Sequence, residues 1–262
     1  MTARQTVRLG AVSDIHFGRT PVGALHTLFS QIVEAADILV LCGDLTDTGN
    51  PEEGRALARE LAAVKIPMVG VLGNHDYECN RLDELKQALH EGGIRILDGD
   101  ADEILGIGFA GVKGFAGGFG RGALGPWGEP AIKAFVQEAL NEALKFETAL
   151  AKLRTESKVA VLHYAPIMAT VTGEPPEIYP YLGSSRLEEP LTHYPVNVVF
   201  HGHAHHGTPE GRTREGIPVY NVSMALLQRS WPAQPPFRVV ELPAPAPAPA
   251  AATAPVPVTT PG

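Results

Sequence analysis

The sequence predicts an α/β fold, a two-sheet β-sandwich flanked by helices. Three observations predict it: short apolar runs rich in β-branched residues recur along the chain, helical periodicities separate the early ones, and the strands after residue 196 follow one another more closely. Near-continuous hydrophobicity, rather than alternation, is what a strand covered on both faces requires. Strand, helix, strand in succession makes parallel βαβ units, and the late crowding suggests a second sheet.

In chain order, residues 7–12, 38–42 and 68–72 read as the first three strands. Residues 25–35, 52–64 and 82–91 read as helices between and after them, their apolar residues falling on one face. A long helical periodicity covers 131–154, and strands follow at 159–162, 196–200, 219–222 and 238–242. Residues 111–129 break the rhythm with many glycines, Phe115, Phe119, Arg121 and Trp127, and a loop of that length reads as functional or mobile, here a lid. The domain spans 1–242; residues 243–262, rich in Pro and Ala, read as a disordered tail.

Composition narrows the function. Lys and Arg number 21 against 29 Asp and Glu, a formal charge of -8, which speaks against a basic nucleic-acid groove. With 2 cysteines no disulfide framework or zinc ribbon can be built, so a metal site must draw on Asp, Glu, Asn and the 10 histidines. No signal peptide or membrane span is apparent, and the expectation is a cytoplasmic protein.

Five polar clusters stand where apolar runs end: Ser13-Asp14-Ile15-His16, Gly43-Asp44-Leu45-Thr46-Asp47, Gly73-Asn74-His75-Asp76, His163-Tyr164-Ala165-Pro166 and His201-Gly202-His203-Ala204-His205. Ligands in open α/β sheets bind beyond the carboxyl ends of strands, so five ends of one sheet can share a crevice. Asp14 and His16 are two apart, as are His203 and His205, and extended backbone would project each pair to one side, where it can share a metal.

These clusters, D-x-H, G-D-x-x-D, G-N-H-D, a lone His and G-H-x-H in that order, resemble the calcineurin-like metallophosphoesterase superfamily over residues 14–205. The resemblance implies the family's four-layer fold and two metal ions. One would be held by Asp14, His16, Asp44 and His205, the other by Asp44, Asn74, His163 and His203, with Asp44 bridging. Oxygen and imidazole ligands suit Mn, Fe or Zn. It further implies hydrolysis of a small phosphate ester, foremost a phosphodiester, by attack of a metal-bridging hydroxide. His75 would serve the leaving oxygen, with Asp47 as its partner and Asp76 as the other candidate. Thr48 stands where protein phosphatases of the family carry Arg, and Asp76 where they carry Glu, which points to the bacterial phosphodiesterase-like branch. Arg19 and Arg121 are candidates for substrate contact.

Each feature also has a blander reading. Asp44 or Asn74 alone would be a turn residue. Gly106 to Gly111 spells G-x-G-x-x-G, but it opens no helix and so makes no dinucleotide site. His201 reads as an ordinary strand-end histidine and Cys42 as a small buried hydrophobe. The rival functions are a phosphomonoesterase or nuclease on the same site, and a non-catalytic scaffold on the same fold.

Overall fold

A computed structural model of the chain describes residues 6–19, 23 and 25–245. The early apolar runs become β1 (Thr6–Val12), β2 (Ile38–Cys42) and β3 (Met68–Val71), linked by α1 (His26–Ala35) and α2 (Pro51–Leu61). Next come α3 (Leu82–Glu91), β4 (Ile94–Ile96), and the antiparallel pair β5 (Asp100–Ile104) and β6 (Ile107–Gly111). The long helix α4 (Pro130–Lys152) leads to β7 (Ser157–Val161), and α5 (Tyr179–Leu182) and α6 (Glu189–His193) precede β8 (Val198–His201). β9 (Glu210–Arg212), β10 (Pro218–Asn221), α7 (Met224–Ser230) and β11 (Arg238–Pro243) complete the described elements.

The first sheet runs β11-β1-β2-β3-β4, parallel except for β11, which pairs antiparallel with β1. The second runs β5-β6-β7-β8-β10-β9, with four parallel central strands and antiparallel edges. Alternation along β2 explains its unbroken hydrophobicity. Val40 and Cys42 face the second sheet and join Val71, Phe109, Val161 and Phe200 in the central core. Leu39 and Leu41 face outward onto Ile32 of α1, Leu57 of α2 and Leu85 of α3. On the far side Ala160 and Val199 pack against Phe146 and Leu150 of α4. The result is helices, sheet, sheet, helices.

The expected sandwich is present, but its strands are shared out differently. The second sheet starts at β5 rather than after residue 196, and β11 returns to the first sheet to cover the edge of β1. The unexpected strands are short or polar: β4 has three residues, β9 reads EGR, and β5 reads DADEI with exposed positions. The run ending at Gly111 is β6, paired on both sides, and it leads into a loop rather than a helix. Pro243, expected in the tail, closes edge strand β11, where a missing donor costs no ladder bond. The rest of the tail, from residue 246, lies outside the described residues. Among the described residues no helix is long and apolar enough to cross a membrane.

The glycine-rich loop is stitched down along its length. Gly117 and Gly118 donate to the carbonyls of Pro180 and Gly183 at 2.7 and 2.9 Å, Gly120 donates to Ser185 Oγ at 2.7 Å, and Arg186 Nη2 donates to the Leu124 carbonyl at 2.8 Å. Phe119 packs on Ala165, Leu182 and Ala204. These bonds tie the segment to residues 180–186.

Candidate metal centre

The five clusters come together, and they come from both sheets. The ends of β1, β2 and β3 supply Asp14, His16, Asp44, Asn74 and His75; the ends of β7 and β8 supply His163, His203 and His205. Backbone bonds knit neighbouring loops within each sheet, Asp14 N donating to the Gly43 carbonyl at 3.1 Å, His16 N to Asp44 at 3.0 Å and Gly202 N to His163 at 3.1 Å, while Ser13 N crosses to the Val222 carbonyl at 3.0 Å.

Extended backbone is not how the paired residues share a side. Asp14, His16, Asp44 and His203 all take left-handed conformations, with φ of 58, 46, 48 and 71°. The chain curls over at each strand end, and every such residue costs about 1–3 kcal/mol, which the surrounding bonds must offset. His203 N, for example, points at both oxygens of Asp14 at 3.1 Å. Glycine is spatially required in the ligand loops. A Cβ on Gly73 would collide with the Asp44 carboxylate, and one on Gly202 with Ser13 Oγ.

Among the described residues three overlapping groups could each hold a metal ion: Asp14, His16 and His205; His16, Asp44 and His75; and Asp44, His163 and His203, with the ligand atoms of each group within 4.8 Å of one another. Asp44 Oδ1 lies 3.4 Å from His163 Nε2 and its Oδ2 3.8 Å from His16 Nε2, so one carboxylate serves both ends of the site. His205 Nε2 meets Asp14 Oδ1 at 2.9 Å, and His163 Nε2 meets Asn74 Oδ1 at 2.9 Å. Carbonyls fix two tautomers. His163 Nδ1 donates to Cys42 at 2.9 Å, freeing Nε2, and His203 Nε2 donates to Tyr181 at 3.1 Å, freeing Nδ1.

The electrostatics are those of a cation site. Burial raises the Asp14 carboxyl, yet it is held well below the usual range, chiefly by the hydrogen bond from His205. Burial, then the charges of Asp14 and Asp76, push Asp44 well above it. Burial also keeps His163 and His203 low and His16 down at about 4, so these imidazoles are neutral, the form that binds metals. His205 is raised, chiefly by its bond to Asp14.

The sequence of the calcineurin-like phosphoesterase family matches this chain over residues 7–207. The chain belongs to that family. It is therefore a metal-dependent phosphoric ester hydrolase. No curated protein sequence matches it. Among solved structures, a phosphopantetheinyl hydrolase from Mycobacterium tuberculosis is similar at a TM-score of 0.60 and 18% identity, over 95% of this chain and 98% of that one. A putative 5′-nucleotidase from Staphylococcus aureus is similar at 0.52 and 16%, over 82% of this chain and 48% of that one. At such identities the likeness concerns the fold.

The residues of this phosphoesterase fit a pair of metal ions by their own chemistry. Both ring nitrogens of His16 are buried without a hydrogen-bond partner, an arrangement that costs free energy unless something else binds them. The space a side chain on Gly73 would fill is taken by the Asp44 carboxylate.

Around the phosphoesterase's clusters the remaining candidates separate. His75 Nδ1 donates to the Asp47 main-chain oxygen at 2.8 Å, whereas the Asp47 carboxylate is 4.0 Å away and holds Arg19 Nε at 2.6 Å. Asp76, the other candidate partner of His75, is buried and turned away, accepting from the amides of Leu45, Thr46 and Gly73 and from Thr46 Oγ1. Arg121 is exposed on the loop's outer turn and outside the three groups. His201 is buried between the Gly202 carbonyl and Thr170 Oγ1, as an ordinary strand-end histidine would be.

Sequence reasoning missed three neighbours of the site. Glu78 lies 3.4 Å from His75 Nδ1, one helical turn on, and that spacing could have shown it. The Tyr181 carbonyl and Arg229, which donates to the His205 carbonyl, act through the backbone and left no side-chain pattern to read.

Proposed function

We propose that this enzyme hydrolyses phosphodiesters at a two-metal centre, one ion held by Asp14, His16, Asp44 and His205 and the other by Asp44, Asn74, His163 and His203. The donors are carboxylate, imidazole and amide oxygen without thiolate, which suits Mn, Fe or Zn. Two bound ions of this kind supply Lewis-acid polarisation of the phosphoryl group and a nucleophile derived from water at neutral pH.

The observation that carries the diester reading is the pairing of Arg19 with Asp47 at 2.6 Å. A monoester brings about two negative charges and a diester one. Two divalent ions less the carboxylates of Asp14 and Asp44 and an anionic nucleophile leave roughly +1. With Arg19 neutralised by Asp47, that charge suits a monoanionic diester. His75 has its Nδ1 fixed by the Asp47 carbonyl, so when protonated it holds a proton on Nε2 for the departing oxygen.

The test is the Mn-loaded full chain with bis(p-nitrophenyl) phosphate and p-nitrophenyl phosphate. The expected result is a kcat/KM higher for the diester by 10-fold or more, on the order of one bound charge. Preference for the monoester would establish the phosphatase reading instead, and cleavage of neither, with nucleic acid cut, the nuclease reading. Metal analysis should find two ions per chain; absence of metal after reconstitution would return the scaffold reading.

A further inference from the structure

A line of aromatic rings leaves the metal centre from His203. Tyr164 lies 4.5 Å from the His203 ring, Phe115 is 5.9 Å from Tyr164, Phe135 is 5.0 Å from Phe115, and Tyr181 is 6.4 Å from Phe135. Burial falls along it: Tyr164 is 7% exposed, Phe115 and Phe135 are half-buried, and Tyr181 is 62% exposed. Beneath the inner rings the Lys113 ammonium stands 4.9 Å from Phe115 and 5.3 Å from Tyr164 and anchors them from below.

A single exposed aromatic ring needs no explanation. Tyr181 differs in being joined to the site through its main chain and backed by a second ring. Its carbonyl accepts from His203 Nε2 at 3.1 Å, and its neighbours Pro180 and Gly183 are bonded by the glycine-rich loop. Phe135 meets its ring at 80°, supporting one part of it and leaving the rest to solvent. Tyrosine has only two side-chain torsions to order on binding, and its open face matches a flat π-surface better than a flexible chain.

We propose that Tyr181, backed by Phe135, stacks against a planar aromatic group, an aryl ring or nucleobase, borne by the phosphate ester. This rests on the hydrolase reading and adds the class of ester: substrates whose esterified group is aromatic. Phe135 and Tyr181 are the residues that select it, and Tyr164 and Phe115 set their position.

Phosphonates test the idea, because their C–P bond is not hydrolysed and binding is read without turnover. Calorimetry on the metal-loaded full chain would compare phenyl-, benzyl- and 2-phenylethylphosphonate with their cyclohexyl counterparts, a series of increasing reach. At least one aromatic member should bind on the order of 10-fold tighter than its saturated partner, the size that stacking contributes to base binding. Tyr181→Ala should bring that ratio near one and Tyr181→Phe should keep it. Where Tyr181→Ala does not melt cooperatively, Phe135→Leu takes its place. Equal affinities within every wild-type pair, or a ratio that survives both Tyr181→Ala and Phe135→Leu, overturn the proposal. Hydrolysis without ring preference removes this inference alone, whereas ring preference without hydrolysis of any ester removes the diesterase reading and leaves the stacking site.

Discussion

His75 is held by the main-chain oxygen of Asp47 at 2.8 Å, while the Asp47 carboxylate stands 4.0 Å from the same nitrogen. The two contacts make different predictions. His75→Asn should retain both metals and lower kcat by about 10²–10⁴, the range for a lost general acid. Asp47→Asn keeps the carbonyl, so its loss should stay within about 10-fold, on the scale of one weakened hydrogen bond. Both variants need kcat beside metal content. An Asp47→Asn loss as deep as that of His75→Asn would assign the orienting role to the carboxylate.

Asp44 accepts the amide of His75 at 2.9 Å through Oδ1 and faces His163 and His16 with its two oxygens. Asp44→Asn should therefore empty both metal positions, whereas His205→Asn should weaken only the one it shares with Asp14 and His16. Metal counting after dialysis distinguishes the two. Retention of two ions in Asp44→Asn would show that this carboxylate is not the bridge.

The sequence discloses the chemistry more fully than the geometry that builds it. Asp14, Asp44, Asn74, His163 and His203 are legible because polar residues at the ends of apolar strands need a reason to be there. That the ends belong to two sheets is not legible, since the assignment turns on β5 and β9, whose exposed polar residues read as loop. Nor are the left-handed backbones of Asp14, His16 and His203, because nothing in a side chain announces a φ that its loop imposes. The role of Asp76 is hidden for the same reason: three of its four partners are main-chain amides, identical at every position.

Those amides give Asp76 its expected effect. The carboxylate accepts from Thr46 N and Gly73 N at 2.8 Å, Leu45 N at 3.2 Å and Thr46 Oγ1 at 2.6 Å, tying the loop after β2 to the loop after β3. Asp76→Ala strands three buried amides and should cost about 3 kcal/mol, read as a fall in denaturation midpoint at unchanged slope. Asp76→Asn, with one acceptor oxygen in place of two, should cost less. A variant with wild-type stability but no activity would place Asp76 in the chemistry instead.

Asp98 couples the outer helical layers and supplies the pH dependence. Its carboxylate meets Lys86 Nζ of α3 at 2.7 Å and Lys145 Nζ of α4 at 3.3 Å. Burial would raise its pKa, but Lys86 and then Lys145 prevail, and the carboxyl lies below its ordinary value. A depressed carboxyl adds stability that is complete above the unfolded value, about 3.9, and is lost as pH falls through the lower folded one. Solvent reaches the lysines, so the contribution is about 1 kcal/mol or less. Urea unfolding of the metal-free chain should show Asp98→Asn less stable than wild type at pH 7 and pH 5 by the same amount. The gap should close as the pH drops below 4. A gap that persists undiminished at pH 3 would mean that Asp98 acts through packing rather than through its charge.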